Sequence, residues 1–218
     1  MFEIIMMTLP LSLAAAVSVS SILVFFTIMV AKEKQVENGV YFIIGGLISY
    51  AVVAILVIFS LGKATPAGAP THAGMHAITD FILAGLCLLL VIKALLKKEA
   101  VEKKKEAAMP GGAVAYLGIG ALMRVASANT LPPFVAAIKE VSGAHLSREA
   151  SITVCALVIF TSMLPMIIPL LLFVFNREKA VALITPVSSF LEKNKKIISN
   201  TVLIVIAVYL ALHGFKQL

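Results

Sequence analysis

One apolar segment, from about Ala113 to Ile138, is long enough to cross a bilayer, yet it carries an arginine, small polar residues and two adjacent prolines near its middle. Its interior reads Arg124-Val-Ala-Ser-Ala-Asn-Thr-Leu-Pro-Pro133. Proline lacks an N–H and clashes with the preceding helical turn, so Pro132 and Pro133 predict a helix break. Carbonyls freed at that depth cannot face lipid and must be buried in protein or line a polar cavity. The segment therefore predicts a broken membrane helix whose break faces the protein interior.

The rest of the chain has the composition of a membrane protein. It is 61% hydrophobic and 13% charged, whereas soluble domains are about half apolar. Further apolar spans are predicted at about Leu9–Ala31, Val40–Phe59, Ala77–Leu96, Ile152–Phe175 and Ile197–Leu212. Residues 181–196, which include Pro186, are predicted to lie at the membrane interface before the last span. The predicted fold is an all-α polytopic membrane protein with six transmembrane helices, of which the fourth is broken.

Three spans in each half require the second half to be inverted relative to the first. Val17-Ser-Val-Ser-Ser21 aligns with Arg124-Val-Ala-Ser-Ala128, and the same offset pairs Lys32-Glu33 with Lys139-Glu140. This weak similarity predicts two inverted three-helix repeats, residues 1–96 and 113–218, joined by a charged cytoplasmic linker, residues 97–112. In transporters built this way the binding site lies near the midplane, where the repeats meet.

The distribution of basic residues predicts the orientation. Of the 18 lysines and arginines, 13 belong to the first, third and fifth connections and four, including Lys139, to the opposite side. The positive-inside rule then places both termini outside the cytoplasm in a multi-pass plasma-membrane protein. Glu3 and the lack of basic residues before the first span argue against a cleaved signal peptide. The net charge of +7 indicates membrane lipids as partners rather than nucleic acid.

Polar residues in the first and fourth spans form the candidate substrate-binding site. They are Ser18, Ser20 and Ser21 in the first span, with Arg124, Ser127, Asn129 and Thr130 in the fourth. Hydroxyl and amide groups suit a neutral or zwitterionic solute or a lipid head group, and the arginine adds affinity for a carboxylate or phosphate. A metal ion would require carboxylates or soft ligands, so neither a metal nor a cofactor is expected. The alternative is that these side chains bond one another and only hold the helices together.

Other polar residues in or beside the spans have weaker interpretations. Asp80, near the start of the third span, is expected to reach the interface, to neutralise Arg124, or to carry a proton or ion. Cys87 and Cys155 lie in apolar spans without CxxC spacing and indicate no metal or redox pair. His72 and His76 are close in sequence, but the Gly- and Pro-rich residues 61–75 favour a solvated loop.

Short patterns along nearly the whole chain carry a family resemblance. They are Leu9-Pro-Leu-Ser-Leu-Ala-Ala-Ala16, Asn38-Gly39, Gly118-Ile-Gly-Ala-Leu122 with Asn129, and Phe190-Leu-Glu-Lys-Asn194. The chain resembles the GAP or Sap (peptidoglycolipid-addressing) family of six-span membrane proteins within the LysE transporter superfamily. The resemblance implies export or surface delivery of glycolipids and peptidoglycolipids, whereas the wider superfamily exports amino acids and ions.

Two functions from different classes follow. The first is a transporter or exporter of a small or amphipathic solute, lipid-linked or amino-acid-like, with proton coupling and homo-oligomer formation left open. The second is a non-transporting scaffold or accessory subunit of a lipid-export system. An enzyme is not expected, because no nucleophile–base pair, metal-ligand cluster or phosphate loop occurs at a suitable spacing. A transporter should have a polar cavity between the first and fourth spans, whereas a scaffold should be packed there.

Overall fold

The computed structural model describes residues 2–31, 34–63, 72–96, 112–127, 129–144 and 146–217. Each regular element in these ranges is an α-helix, as the sequence predicts. They are α1 (Phe2–Ala16), α2 (Val19–Val30), α3 (Gln35–Lys63), α4 (His72–Leu96), α5 (Ala113–Val125), α6 (Leu131–Gly143), α7 (Arg148–Phe175) and α8 (Arg177–Gln217). Apart from Gly112, the predicted linker 97–112 lies outside the described residues.

The described helices establish a multi-pass membrane protein. Four of them, α3, α4, α7 and α8, are long and apolar enough to cross a bilayer. A fifth span is obtained if α1 and α2, which meet at 59°, count as one broken helix. α5 is apolar but has only 13 residues, fewer than the 17 or so that a straight crossing needs. The predicted six-span inverted repeat and its domain boundaries stay predictions.

The predicted break in the fourth span is confirmed, although the prolines do not cause it in the expected way. α5 ends at Val125 and α6 begins at Leu131. Pro132 and Pro133 lie in the first turn of α6, where a helix has no internal acceptor for an N–H and proline is favoured. They start a second short helix instead of interrupting a continuous one. Within the break, the N–H of Leu131 donates to the carbonyl of Ser127 at 3.2 Å.

A second break, between α1 and α2, was not predicted from the sequence. The expected single helix from Leu9 to Ala31 is interrupted after Ala16, and Ser18 has an extended backbone at φ −102° and ψ 91°. No proline or glycine lies at this point; the local signal is the run of serines, whose side chains compete with helical backbone bonds. The two halves of the chain therefore each contain a broken helix.

Two other boundaries differ from expectation. α8 is one helix of 41 residues that passes through Pro186, so residues 181–196 continue into the last predicted span without a break; their position at the membrane interface stays a prediction. At about 1.5 Å per residue α8 is roughly 60 Å long, about twice the hydrocarbon thickness of a bilayer. α4 begins at His72, so residues 72–75 are helical rather than part of a loop.

The closest helix packing is between α3 and α5. A Cβ added at Gly45 would collide with the carbonyl oxygen of Leu117, and one at Gly120 would collide with that of Phe42. The two backbones therefore touch directly, as small residues permit in membrane proteins. α4 packs mainly against α8, and α1 packs against α6 and α7. At the two breaks, Ser18 and Thr130 are buried, whereas Val125 and Ala126 are exposed.

Candidate functional site

The two helix breaks meet through serine side chains. The hydroxyl of Ser18 lies 3.2 Å from that of Ser127 and 2.8 Å from that of Ser21. Ser21 donates to the carbonyl of Met123 at 3.4 Å. We call Ser18, Ser21 and Ser127 the serine cluster; it joins the start of α2 to the end of α5. The sequence alignment of the two halves pairs Ser20, rather than Ser18, with Ser127.

The other predicted polar residues are arranged differently. Thr130 is buried, and its hydroxyl donates to the carbonyls of Ser127 at 3.3 Å and Arg124 at 3.5 Å, closing the break from within. Ser20 and Asn129 are half-buried. In the described part of the chain, neither side chain is hydrogen-bonded to the serine cluster. Geometry thus brings together three of the six predicted small polar residues.

Arg124, at the end of α5, is fully buried and poorly satisfied. One terminal nitrogen, Nη2, donates to the thioether sulfur of Met166 at 2.9 Å, and sulfur is a weak acceptor. Its Nε and Nη1 have no hydrogen-bond partner. Gly46 packs closely against this side chain, since an added Cβ would lie 2.9 Å from Cε of Met163 and 3.5 Å from Cγ of Arg124. Native structures rarely leave buried donors unpaired, so these two nitrogens are available to an acceptor.

An aromatic stack supports the Arg124 side chain. The guanidinium carbon lies 5.5 Å from the ring centre of Tyr50. Tyr50 stacks on Phe134 of α6 with ring centres 4.0 Å apart and planes inclined by 9°. Its hydroxyl donates to the carbonyl of Ala15 at 3.4 Å, next to the break between α1 and α2. A cation over a buried tyrosine is stabilised by about 2 kcal/mol or more, which offsets part of the cost of burying it.

A group of charged side chains lies at another position in the bundle, where α4, α6 and α8 meet. Lys139 forms an ion pair with Asp80 and lies 3.3 Å from Glu140. His213 Nδ1 lies 3.0 Å from the second oxygen of Asp80 and 3.8 Å from Glu140. Asp80 and Lys139 are fully buried, whereas the side chains of Glu140 and His213 are each 11% exposed. We call these four residues the charged cluster.

The charged cluster corrects two sequence interpretations. Lys139 was counted among the loop charges, but it is buried in an ion pair. Asp80 was considered as a partner of Arg124, but in the structure it pairs with Lys139 and His213.

A model of a known protein family matches residues 9–216, and its description is Sap, sulfolipid-1-addressing protein. The chain belongs to the Sap family. The match covers both helix breaks, Arg124 and the charged cluster, and it confirms the resemblance to the Sap family; membership of the LysE superfamily stays a prediction. No curated protein and no solved structure matches the chain.

Two cavities of this Sap-family chain border α2 and α8. One, of about 490 Å³, is lined by apolar groups together with the hydroxyls of Thr27, Thr185, Ser188 and Ser189. The other, of about 240 Å³, is entirely apolar, and the two share Phe26 and Ile184. Neither is lined by the serine cluster or Arg124. The polar binding pocket predicted between the first and fourth spans therefore stays a prediction.

Sequence reasoning on this Sap-family chain missed the charged cluster as a unit. Its members are far apart in sequence: 59 residues separate Asp80 from Lys139, and 133 separate Asp80 from His213. A signal was nevertheless present, because the predicted topology puts all four at the same end of their spans. Charges of opposite sign at the same end of adjacent apolar helices are expected to pair.

Proposed function

We propose that this protein exports an amphipathic solute with an anionic head group, and that Arg124 binds that head group. The observation that carries the proposal is the pair of unpaired nitrogens on a fully buried guanidinium. The family description names a sulfolipid, and the sulfo group of such a lipid is an anionic oxygen acceptor. A lipid-linked solute of this kind is the substrate class that fits best.

The energetics of Arg124 support a ligand role over a structural one. An arginine within a membrane helix costs at least about 2.5–3.5 kcal/mol, and unpaired buried donors add to that cost. Such a charge does not improve folding, because an apolar side chain of similar volume would serve better. The planar guanidinium binds sulfate, phosphate or carboxylate oxygens with two parallel hydrogen bonds. An oxyanion bound along one edge of the guanidinium would supply an acceptor for Nε or for Nη1, each of which shares its edge with Nη2.

The adjoining cavities on α2 and α8 support an amphipathic solute. Phe26, which both cavities share, lies five residues after Ser21 on α2, about 7.5 Å along the helix. A polar end and an apolar flank on the same short helix suit a molecule with a head group and a hydrocarbon tail. The placement of one helix break in each half supports the inverted-repeat, plasma-membrane transporter that the sequence resembles. The proposal includes no catalysis, and homo-oligomer formation stays a prediction.

The second candidate is a non-transporting scaffold or accessory subunit of a lipid-export system. The observation that favours it is the mutual bonding of Ser18, Ser21 and Ser127, which is what helix-joining side chains would show. A scaffold does not require a buried arginine with two unpaired nitrogens, however. The effect of substituting Arg124 therefore distinguishes the two candidates.

A flux assay on the full chain in proteoliposomes tests the proposal. The probe is a fluorescent glycolipid sulfate, whose appearance in the opposite leaflet is measured with and without a pH gradient. We expect Arg124→Met to abolish flux while thermal stability is kept or increased, because an unpaired buried charge is removed. The matched control is Arg177→Met, since Arg177 also lies over an aromatic ring, that of Phe173 at 5.7 Å, but is exposed.

The outcomes separate the candidates. Flux lost in Arg124→Met and kept in Arg177→Met supports transport through an Arg124 site. Wild-type flux per folded molecule in Arg124→Met contradicts the head-group role. No flux in the wild-type protein, combined with the expected stability of both variants, favours the scaffold.

A further inference from the structure

We propose that the two adjoining cavities between α2 and α8 form one binding site for an uncharged lipid with a hydroxyl-bearing head group. The proposed function assigns these cavities only to the tail of the solute, yet five of the described residues that line the larger cavity carry a hydroxyl. Arg124 lines neither cavity. The inference therefore holds whether or not this arginine binds an anionic head group.

Three of the lining hydroxyls already use their protons within their own helix. Thr27 donates to the carbonyl of Leu23 at 2.9 Å. Thr185 donates to that of Val181 at 2.9 Å, and Ser189 donates to that of Thr185 at 3.1 Å. A hydroxyl oxygen that has donated its proton still has lone pairs that accept hydrogen bonds. These three groups therefore offer acceptors to the cavity, and they suit a ligand that donates.

The other two hydroxyls, those of Tyr116 and Ser188, have no hydrogen-bond partner among the described residues. Tyr116, on α5, is only 7% exposed, and Ser188, on α8, is half-buried. In the described part of the chain, fully enclosed polar atoms without a partner belong to Arg124 alone, so the Tyr116 hydroxyl reaches accessible space. Because buried polar groups are rarely left unpaired, a ligand in the cavity would supply the partner that the fold does not.

The lining selects against a charged head group. None of the described residues that line the two cavities is charged. An anion only accepts hydrogen bonds, so it would leave the oxygens of Thr27, Thr185 and Ser189 unmatched. A cation would find no carboxylate, and a desolvated charge without a partner is costly. A hydroxyl group both donates and accepts, so an uncharged head group with several hydroxyls matches both kinds of lining group.

The smaller cavity suits a hydrocarbon chain. Each described residue that lines it is apolar, its volume is about 240 Å³, and it shares Phe26 and Ile184 with the larger cavity. Leu183 and Val187, which line it from α8, are about half exposed, so it is open at the side of the bundle. The larger cavity, of about 490 Å³, is in the usual range of small-molecule sites, roughly 300–1,000 Å³, whereas the smaller is below it. One amphipathic molecule therefore fits the pair better than two separate ligands.

Tryptophan fluorescence on the full chain tests the proposal, because the sequence contains no tryptophan. One reporter is Phe190→Trp, at an exposed position about one turn beyond Val187 on α8. The control reporter is Phe160→Trp, which is also exposed but lies on α7 and lines neither cavity. Each is reconstituted into phosphatidylcholine vesicles with increasing amounts of a monoacylglycerol whose chain is brominated, because bromine quenches nearby tryptophan. An alkyl sulfate and a methyl ester of the same brominated chain length are the matched probes, since they differ from it in head group.

We expect the monoacylglycerol to quench the Phe190→Trp reporter saturably and at a low mole fraction. The alkyl sulfate, which is anionic, and the methyl ester, which has no hydroxyl, should quench it only in proportion to their concentration. The Phe160→Trp reporter should show proportional quenching by all three probes, because it contacts bulk lipid only.

Substitutions in the Phe190→Trp background locate the site. Tyr116→Phe and Ser188→Ala should each weaken the affinity for the monoacylglycerol by about 3–10-fold, the usual effect of one lost hydrogen bond. Ser199→Ala, at a half-buried serine three turns further along α8, should leave the affinity unchanged. Arg124→Met should also leave it unchanged, which distinguishes this site from the head-group site of the proposed function.

Four results would overturn the proposal. Proportional quenching of the Phe190→Trp reporter by the monoacylglycerol would indicate bilayer contact only, and saturable quenching by the alkyl sulfate would contradict selection for an uncharged head group. Equal effects of Ser188→Ala and Ser199→Ala would remove the hydroxyls from the site, and this comparison is sufficient if Tyr116→Phe fails to fold. A dimer in light scattering, with a reporter that none of the probes quenches, would show that a second copy covers the cavities instead.

Discussion

At the scale of single residues, the break between α5 and α6 contains two polar side chains, Ser127 and Asn129, whose substitution should affect stability and flux differently. Ser127 is bonded to Ser18 across the two breaks, whereas Asn129 is half-buried and makes no bond to the serine cluster. A polar group that already makes a hydrogen bond within the fold contributes to stability, whereas a polar group without such a bond is available to a ligand. Substitution of each by alanine should therefore separate binding from helix association.

We expect Asn129→Ala to abolish flux and to leave thermal unfolding nearly unchanged. Ser127→Ala should lower stability by roughly 0.5–1 kcal/mol, the usual value of such an interhelical bond, while flux per folded molecule persists. Thermal unfolding in detergent and the flux assay together measure both effects. The opposite pattern, with stability lost in Asn129→Ala and flux kept, would move Asn129 from the binding site to the scaffold.

The buried ion pair predicts a large effect at one lysine. Lys139→Met leaves the carboxylate of Asp80 buried without its cation, which should cost about 3–5 kcal/mol. Combining it with Asp80→Asn should recover part of that loss, because no unpaired charge then remains. Lys179→Met, at an exposed position, is the control and should unfold like the wild type. If Lys139→Met also unfolds like the wild type, the ion pair makes no contribution to the stability of the fold.

At the scale of helices, α5 offers a matched pair of glycines. A Cβ at Gly120 would collide with the backbone of Phe42, whereas one at Gly118 would have nothing within 4 Å. We expect Gly120→Ala to destabilise the protein by about 1–3 kcal/mol through overpacking. Gly118→Ala should be neutral or slightly stabilising, since alanine favours a helix. Unfolding temperatures of the two variants, measured in the same detergent, test this difference. Equal temperatures would show that α3 and α5 can move apart at no cost in stability.

Helix boundaries show what sequence reasoning could and could not reach. Pro132 and Pro133 revealed the break in the fourth span, because proline limits backbone conformation wherever it lies. The break at Ser18 carries no such residue and depends on a contact with Ser127, more than a hundred positions away. In α8, Pro186 and the charged residues near Lys193 indicated that the last span starts near Ile197, but the helix is continuous there. Lysine and glutamate are good helix formers, so a change from apolar to charged residues does not by itself end a helix.

The candidate functional residues also divide into those that the sequence indicates and those that depend on helix packing. Arg124 is a candidate functional residue from the sequence alone, because an arginine within an apolar span is costly and marks a functional hypothesis. Its lack of acceptors depends on Met166 and Tyr50, which come from other helices. The charged cluster could not be assembled from the sequence, since it depends on how α4, α6 and α8 pack.

At the scale of the whole molecule, orientation in the membrane is the main untested prediction. The burial of Lys139 removes one cation from the side predicted to be external, so the asymmetry of exposed charge is greater than the sequence count indicates. Single cysteines at Gly68 and Glu102, in a chain lacking Cys87 and Cys155, are treated with an impermeant reagent on intact cells. We expect labelling at Gly68 and none at Glu102. The reverse result would place both termini in the cytoplasm.

The contact of backbone on backbone between α3 and α5 also limits how the bundle can move. Helices held apart by side chains can slide, because the side chains change rotamer; here the Leu117 and Phe42 carbonyls lie directly against Gly45 and Gly120. These two helices therefore behave as one rigid body, and Arg124 at the end of α5 stays in place with it. The unwound joints at Val17–Ser18 and after Val125 have the conformational freedom that this pair lacks. If the transport that we propose involves opening toward either face of the membrane, these joints are where α2 and α6 would rotate, past a stationary Arg124.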